Sequence, residues 1–233
     1  MRHTWHLWLC EANYRAAPEM EGLPLRPHVL AYQAPVTSLT EGGPVILPPH
    51  ARTVSCACEL AVELDRALHR ADEDGALAAI RGYRVLAAFR DSSLIEEVPL
   101  PTPRDVGVCA YYARWADTFN CAGPLVPAGR VETPYGAAMH IEIVAAAEAL
   151  GPAHSHTSGY LHRAPAVLSA LSRFATLQPG DVVSLGRAGA LLVVPAGRHL
   201  PAGSRVLAEI AGIGRLETTI EDRRAAIGRP ADR

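Results

Sequence analysis

The stretch CELAVELDRALHRADEDGALAAIRGYRVLAAFRD, from Cys58 to Asp91, decides the fold. Apolar residues alternate over 60–64 as expected for a strand, and the apolar run 83–89 is typical of a second strand. Between them, the acidic and alanine-rich residues 72–80 predict a short helix. The stretch therefore predicts a strand–helix–strand unit.

The ends of the predicted helix carry their own signals. Asp72 or Asp74 can cap its first turn through a side-chain oxygen. Gly82 stands where a helix commonly ends in a glycine.

Composition restricts the class of protein. The chain has 233 residues, of which 49% are hydrophobic and 20% charged, which is typical of a globular chain with one core. The formal net charge of −2 gives no reason to expect nucleic acid as a partner. No apolar run approaches the roughly 20 residues that span a bilayer. Trp5, His6 and Trp8 stand at the start without a signal-peptide layout, so we predict a cytoplasmic protein without a membrane partner.

All 22 basic residues are arginine. No lysine side chain is therefore available for a Schiff base or as a general base. The abundance of alanine, arginine, glycine and proline suggests a GC-rich bacterial coding sequence.

Four short motifs follow one another along the chain. They are a G-x-P-x-x-L-P-like run at 42–48, DTFNCAGP at 117–124, LQPGDVV at 177–183 and LAEIAGIGRLE at 207–217. Together with the stretch 58–91, this pattern resembles the fumarylacetoacetate hydrolase superfamily from Asn13 to Leu216. The resemblance implies an α+β, mainly β fold, a mixed β-sandwich or β-roll with its pocket at one mouth. Members are often homodimers, so we expect a homodimer.

The resemblance implies a domain layout. Residues 1–50 are expected to form an N-terminal segment that packs on the core, 51–222 the core domain, and 223–233 a frayed tail. An amphipathic helix is expected over 164–176, with Phe174 on its apolar face. The proline-rich residues 92–108 and the residues around His154 are expected to form loops.

The family's metal ligands are mostly replaced. Members carry a Glu-x-Glu pair on the first strand of this unit, and here the first glutamate falls on Ala57 and the second on Glu59. The family's aspartate falls on Ala88 when counted without a gap from Gly82. A methyl group cannot ligate Mg²⁺ or Mn²⁺, which take several oxygen ligands. We therefore expect no metal and no other cofactor, unless a gap in the alignment brings Asp91 back into the site.

The family's general base is also replaced. Members carry G-x-N-Y-x-x-H-x-x-E near the N-terminus, of which Asn13 and Tyr14 remain. The histidine falls on Ala17, and the glutamate falls on or next to Met20. Glu19 is a candidate catalytic carboxylate, with a solvated loop carboxylate as the alternative.

Two arginines are candidates for binding anionic oxygens. Arg114 stands at the lysine position of the family's K-x-x-D-T-F motif and keeps the positive charge in a planar, bidentate form. The alternative is a structural pair between Arg114 and Asp117. Arg187 stands at the family's substrate threonine, with a surface arginine as the alternative.

The remaining candidate substrate contacts come from the other motifs. Gln33 replaces the lysine of the family's F-x-K-P segment. His156 and Thr157 lie where members have a small polar pair, and Tyr14 and Asp91 complete the candidate set.

The five cysteines are interpreted as reduced, mostly buried thiols. Alternation on a strand places Cys58 and Glu59 on opposite faces, which argues against a joint catalytic role. His154 and His156 could together bind a transition metal, although no third ligand is evident nearby.

Two functions remain open. The first is an enzyme that acts without metal on a keto-acid, β-dicarbonyl or polyketide-like small molecule, by decarboxylation, tautomerisation or cyclisation, in a specialised bacterial biosynthetic pathway. Arg114 and Arg187 would bind its carbonyl or carboxylate oxygens, and Glu59 would transfer a proton. The second is a non-catalytic relative that serves as a partner subunit or ligand-binding module. A metal-dependent C–C bond hydrolase is the further alternative.

Overall fold

The structure is a computed structural model that describes residues 6–14, 28–96, 103–145 and 149–224. Its strands are β1 (Leu7–Glu11), β2 (Leu30–Ala34), β3 (Leu39–Glu41), β4 (Val45–Leu47), β5 (Val54–Leu64), β6 (Ile80–Asp91), β7 (Asn120–Ala122), β8 (Val126–Pro127), β9 (Ala138–Val144), β10 (Ala149–His156), β11 (Val182–Arg187), β12 (Leu192–Val194), β13 (Arg205–Ile210) and β14 (Gly214–Asp222). Its α-helices are α1 (Glu73–Ala78), α2 (Ser93–Glu96), α3 (Pro103–Tyr112) and α4 (Ala164–Ser172). None of the helices in these residues is long and apolar enough to cross a membrane.

The antiparallel pair of β5 and β6 is the centre of the larger sheet. The strand order is β2-β1-β11-β5-β6-β7-β3, with β12 paired to β5 and β8 paired to β6. The two strands pair along nearly their whole length, from Val54 opposite Asp91 to Leu64 opposite Ile80. The strand–helix–strand unit predicted from the sequence is confirmed.

The larger sheet curls into a roll. Its two outermost strands, β2 and β3, are joined only by the 3₁₀ turn Val36–Ser38. Five residues of chain from Ala34 to Leu39 span at most about 17 Å, so the two edges of the sheet must lie close together. The mainly β fold and the roll expected from the family resemblance are confirmed.

The inside and outside of the roll carry separate apolar clusters. A small cluster, which includes Leu7, Leu9, Ala61 and Leu86, lies on the inner face. The outer face belongs to the main core, which also contains the inner residues of the second sheet, ordered β10-β9-β13-β14-β4. Burial of these side chains contributes most of the free energy of folding.

The strands before residue 50 pair with strands of the core. β1 lies beside β11, and β4 lies beside β14 in the second sheet. The boundary near residue 50 stays a prediction, because nothing in the structure tests it. Residues 225–233 of the expected tail lie outside the described residues, while Arg224 is buried and donates to the backbone oxygen of Arg52 at 2.8 Å.

Gly82 has a role other than the one expected from its position. Helix α1 begins after Asp72, whose Oδ1 accepts from the backbone N–H of Gly75 at 2.8 Å, and it ends at Ala79. Gly82 lies within β6, where a Cβ atom would approach the carbonyl oxygen of Val126 to 2.3 Å. The glycine therefore permits the close approach of β8.

Three local expectations were wrong. The residues 92–108 include helix α2 and most of the first two turns of α3, and His154 lies in strand β10. Phe174 is 90% exposed. Helix α4 ends at Ser172, so Phe174 does not lie on the apolar face of the helix. Proline-rich composition and Gly-Pro signals were overridden by pairing and packing that the local sequence does not encode.

A buried ion-pair network lies at one mouth of the roll. Glu63 accepts from Arg84 Nε at 2.8 Å and from Arg81 Nη1 at 2.5 Å. Arg84 also contacts Glu41 at 2.9 Å and donates to the carbonyl oxygen of Gly123 at 2.8 Å. The Glu63 carboxylate and the Arg84 guanidinium thus find their hydrogen-bond and charge partners within the protein.

A β-bulge in β11 sets the register next to β5. Ser184 lies opposite Ala61, while Arg187 lies opposite Glu59, so one extra residue is accommodated between them. Gly186 has a φ of +83°, and a Cβ atom there would approach the carbonyl oxygen of Cys10 to 2.5 Å. Glycine is required at this position for both reasons.

We expect Gly186→Ala to lower the free energy of unfolding by about 2–3 kcal/mol, because it adds a clash to an unfavourable φ. Gly212→Ala is the matched control, since Gly212 has a φ of +75° but open space around it. Urea denaturation measures both. Equal losses in the two variants would show that the approach to Cys10 costs nothing.

Candidate functional site

The candidate site lies on the inner face of the roll, at the mouth opposite Glu63. Ser55, Ala57 and Glu59 alternate along β5 and point to this face, while Ala88 and Arg90 do so from β6. They line a narrow cleft whose free volume is about 20 Å³, room for about one water molecule. The lining residues are Glu11, Ser55, Ala57, Glu59, Ala88, Arg90, Arg114, Arg187 and Leu191.

Glu59 is the most deeply buried acid of this cleft, with 2% of its surface exposed. Its Oε2 accepts from Arg114 Nη2 at 2.9 Å and from the Ser184 hydroxyl at 2.5 Å. Both hydrogen bonds end on the same oxygen. Oε1 accepts from none of the described residues.

Arg114 is held by its own loop as well as by Glu59. Nη2 also donates to Asn120 Oδ1 at 2.9 Å, and Asn120 Nδ2 donates back to the Arg114 carbonyl oxygen at 3.2 Å. Burial lowers the pKa of the guanidinium, but the charges of Glu59 and Glu11 offset this and hold the pKa above its usual value. Arg114 is therefore a fixed positive charge, and its partner is Glu59 instead of Asp117.

Arg187 reaches the cleft because of the bulge in β11. The bulge places it directly beside Glu59 on the neighbouring strand. It is half-buried, and Nη1 donates to the carbonyl oxygen of Gly189 at 3.4 Å. The structure thus brings together Glu59, Arg114 and Arg187, three of the residues predicted from the sequence.

Glu11 and Arg90 line the same cleft, and the sequence analysis did not identify them. Arg90 is two residues after Ala88, so strand alternation could have placed it on the same face. Glu11 ends β1, whose position depends on parallel pairing with β11. No local signal indicates that pairing.

The residues present do not fit the divalent metal that the family resemblance implies. Ala57 and Ala88 are directly paired across β5 and β6, and both methyl groups line the cleft beside Glu59. The remaining carboxylate is bonded to Arg114 and Ser184. Among the described residues, no three His, Cys, Asp or Glu side chains converge in a way that could hold a metal ion.

Asp91 and Gln33, two further candidates, do not reach the cleft. Asp91 lies opposite Val54 on the other face of β6 from Arg90, and its Oδ1 accepts from the backbone N–H of Ser93 at 3.1 Å. Gln33 is exposed on β2. Its neighbour Tyr32 points the other way, and its hydroxyl donates to Glu11 Oε1 at 3.3 Å.

Tyr14, His156 and Thr157 lie apart from Glu59. Thr157 is buried, accepts from the backbone N–H of Ala137 at 2.9 Å and lines a separate surface cleft. His156 is exposed and bonded to Ser158 at 2.6 Å, and Tyr14 packs against Gly159. None of the three lines the cleft around Glu59.

The remaining candidates are Glu19 and the possible metal-binding pair of His154 and His156. Glu19 lies outside the described residues, and its catalytic role stays a prediction. His154 lies opposite His140 on β9, with ring centroids 6.3 Å apart, while His156 lies opposite Ala138.

The cysteines are free thiols, as predicted. Cys58 belongs to the main core on the face opposite Glu59, and its thiol lies 3.6 Å from the carbonyl oxygen of Glu209. Burial raises the pKa of the Cys10, Cys56 and Cys58 thiols, and raises that of Cys121 to about 11. A nucleophilic role for Cys58 is not supported by these surroundings.

Only the half-buried Cys109 should react with a thiol reagent in the native protein. We expect one thiol per chain to react quickly at pH 8 and all five after unfolding in guanidinium. Cys109→Ser should remove the fast phase. Rapid labelling of Cys58 in the folded protein would contradict the burial seen here.

Removing Arg114 should expose the cost of a buried, uncompensated carboxylate. Arg114→Gln is expected to lower the free energy of unfolding by about 3–5 kcal/mol, and adding Glu59→Gln should restore part of it. Arg205→Gln, which breaks the exposed pair with Glu217, is the matched control and should change little. Urea denaturation of the wild type, Arg114→Gln, Glu59→Gln, the double variant and Arg205→Gln measures the coupling. A loss in Arg114→Gln no larger than in the control would be inconsistent with this buried pair.

Comparison with known proteins places the chain in a family. The family model described as fumarylacetoacetate (FAA) hydrolase C-terminal matches residues 7–221. An uncharacterized protein of Pyrococcus horikoshii is 26% identical over 201 residues, which cover 86% of this chain and 81% of that protein. The 4-hydroxyphenylacetate degradation bifunctional isomerase/decarboxylase of Salmonella dublin is 25% identical over 220 residues, which cover 93% of this chain and 47% of that protein. This chain thus spans about half the length of the bifunctional enzyme.

Solved structures show the same fold. A fumarylpyruvate hydrolase from Pseudomonas aeruginosa, in complex with Mn²⁺ and pyruvate, superposes with a TM-score of 0.73 at 20% identity, covering 93% of this chain and 89% of that chain. A putative fumarylacetoacetate hydrolase family protein from Yersinia pestis superposes with a TM-score of 0.76 at 22% identity, covering 94% and 95%. The match of the family model over nearly the whole chain extends the likeness from fold to family. The chain belongs to the fumarylacetoacetate hydrolase family.

Proposed function

We propose that this protein is a fumarylacetoacetate hydrolase-like enzyme that works without a metal on a small keto-acid or β-dicarbonyl compound. Its reaction would be a proton transfer next to a carbonyl group, as in tautomerisation, decarboxylation or cyclisation. The observation that carries the proposal is the Glu59 carboxylate of the cleft, held through Oε2 by Arg114 and Ser184, while Oε1 accepts from none of the described residues.

The held oxygen gives Glu59 a fixed orientation. Arg114 and Ser184 both bind Oε2, so rotation of the carboxylate would break two hydrogen bonds. Oε1 is then the atom that would take a proton from the carbon next to a carbonyl and return it elsewhere. A positioned carboxylate of this kind accelerates proton transfer by about 10²–10⁴-fold.

The arginines supply the charge that such a reaction needs. Removing the proton, or losing CO₂, leaves negative charge on the carbonyl oxygen as an enolate. Arg187 lies beside Glu59, and Arg90 lies across the cleft on β6. Guanidinium groups held at such a site stabilise the enolate oxygen and bind the substrate carboxylate.

Hydrolysis of a C–C bond is less well supported. It needs activated water, which relatives with bound metal can obtain from the ion. Here the two methyl groups of Ala57 and Ala88 occupy positions that the family resemblance assigns to metal-binding carboxylates. The Salmonella relative's name, isomerase/decarboxylase, and the pyruvate bound to the Pseudomonas hydrolase support the reaction and substrate classes proposed.

The wider setting belongs to the same proposal. A homodimer is supported by the family resemblance, and a specialised bacterial biosynthetic role by the arginine-only composition and the altered site. A cytoplasmic location stays a prediction.

A non-catalytic role is the second candidate. The cleft holds only about 20 Å³, against roughly 300–1,000 Å³ for ligand pockets, so its lining side chains nearly fill it. A relative that had lost its reaction would tolerate such filling.

Exchange of substrate hydrogen for deuterium tests the proposal without knowledge of the natural product. We expect the protein to speed exchange at C3 of 2-oxobutyrate in D₂O, followed by NMR, equally with EDTA or Mn²⁺. Glu59→Gln should lower the rate by about 100-fold or more, because it removes the proton acceptor. Glu63→Gln, at the other mouth, is the control.

The other outcomes separate the alternatives. Exchange that requires Mn²⁺ and disappears with EDTA would favour a metal-dependent enzyme. A folded protein that binds 2-oxo acids but exchanges no hydrogen would favour the non-catalytic module. Full exchange activity in Glu59→Gln would remove Glu59 from the mechanism.

A further inference from the structure

The Tyr160 hydroxyl bridges β5 and β11 at the bulge. It accepts from the backbone N–H of Leu60 at 3.2 Å and donates to the carbonyl oxygen of Gly186 at 3.0 Å. At this point two residues of β11, Leu185 and Gly186, lie opposite Leu60 alone, and a bulge of this kind disrupts the backbone ladder locally. A side chain therefore supplies hydrogen bonds to both strands where their regular pairing is interrupted.

Tyr160 is held firmly enough to fix the two strands. It is 6% exposed and belongs to the main core. Its backbone follows the 3₁₀ turn Thr157–Gly159 and forms an isolated bridge with Tyr14. Burial raises the pKa of the Tyr160 hydroxyl well above its usual value, so the group keeps the proton that it donates to Gly186.

Both strands that Tyr160 joins act on Glu59. Leu60 directly follows Glu59 in β5. On β11, the Ser184 hydroxyl accepts from the backbone N–H of Gly186 at 3.0 Å and donates to Glu59 Oε2 at 2.5 Å. Gly186 is thus bound through its carbonyl oxygen by Tyr160 and through its N–H by Ser184. A shift of Gly186 would therefore displace a hydrogen-bond donor of the carboxylate.

We propose that Tyr160 is a positioning residue for Glu59. Its hydroxyl fixes the bulge in β11 from the main core and thereby sets the orientation of the carboxylate in the cleft. Tyr160 does not line that cleft and acts through Leu60, Gly186 and Ser184. The effect on a reaction rests on the proposed function, whereas the orientation of Glu59 can be measured without any reaction.

Tyr160→Phe removes the hydroxyl and keeps the ring. We expect the ¹³C NMR signal of the Glu59 carboxyl, assigned with Glu59→Gln, to move from its wild-type position. The rate of deuterium exchange into 2-oxobutyrate at saturation should fall by about tenfold while KM stays within about twofold, because a misplaced carboxylate slows proton transfer more than it weakens binding.

Tyr135→Phe is the matched control. The Tyr135 hydroxyl also accepts from a backbone N–H of a buried residue, that of Ala164 at 2.7 Å, but this bond leads to helix α4. Both variants should lower the midpoint of urea denaturation, since each leaves a backbone N–H without its partner. Only Tyr160→Phe should move the Glu59 signal and slow the exchange, whereas a purely structural role predicts the same behaviour of both.

Two unnatural side chains at position 160 complete the series. 4-Aminophenylalanine restores a donor towards Gly186 and should recover most of the exchange rate. 4-Fluorophenylalanine fills the volume of the hydroxyl without a donor, and it takes the place of Tyr160→Phe if that variant does not fold.

The proposal and the proposed function fail by different results. An unmoved Glu59 signal in folded Tyr160→Phe would overturn the positioning role, as would a wild-type exchange rate or a loss no larger than in Tyr135→Phe. If the wild-type protein exchanges no hydrogen, the proposed function fails, and the Glu59 signal alone then decides whether Tyr160 orients the carboxylate.

Discussion

The buried pair between Glu59 and Arg114 is the interaction on which the site depends. A carboxylate placed on the inner face of a packed roll costs several kcal/mol unless a partner compensates its charge. Arg114 provides that charge, and Asn120 fixes the guanidinium by a reciprocal pair of hydrogen bonds. Ser184 then completes the coordination of Oε2. These contacts all end on one oxygen of Glu59, and the carboxylate is thereby held in a fixed orientation.

The same pair explains how a member of this family can do without the carboxylates of its relatives. Ala57 and Ala88 face each other across the central strands, so the loss of two carboxylates leaves a small apolar gap next to Glu59. A guanidinium can balance a single carboxylate, whereas three carboxylates would call for a multivalent cation. With the two alanines in place, Arg114 balances the single carboxylate of Glu59.

Much of the fold could be predicted from the sequence, because its signals are local. Alternation over 60–64 and the LQPGDVV and GIG motifs correctly predicted β5, β11 and the β13–β14 hairpin. The loop predictions for residues 92–108 and for the segment of strand β10 were wrong. Proline and glycine signals favoured loops there, whereas long-range packing favours helix and strand. In the cleft, Glu59, Arg114 and Arg187 were predicted from the sequence, because the family pattern marks their positions. Glu11 and Arg90 were missed, because only the parallel pairing of β1 with β11 and the register of β5 against β6 bring them together.

The bulge in β11 links the register of one strand to the composition of the cleft. Without the bulge, the register that pairs Ser184 with Ala61 would place Gly186 opposite Glu59. A glycine offers no side chain to the cleft. A chain that folded in that slipped register could retain most of its sheet hydrogen bonds and its core, yet it would lack the guanidinium beside Glu59. Spectroscopic measures of secondary structure would hardly distinguish the two forms. Under the proposed function, binding of a small carboxylate would distinguish them, because only the bulged register brings Arg187 beside Glu59.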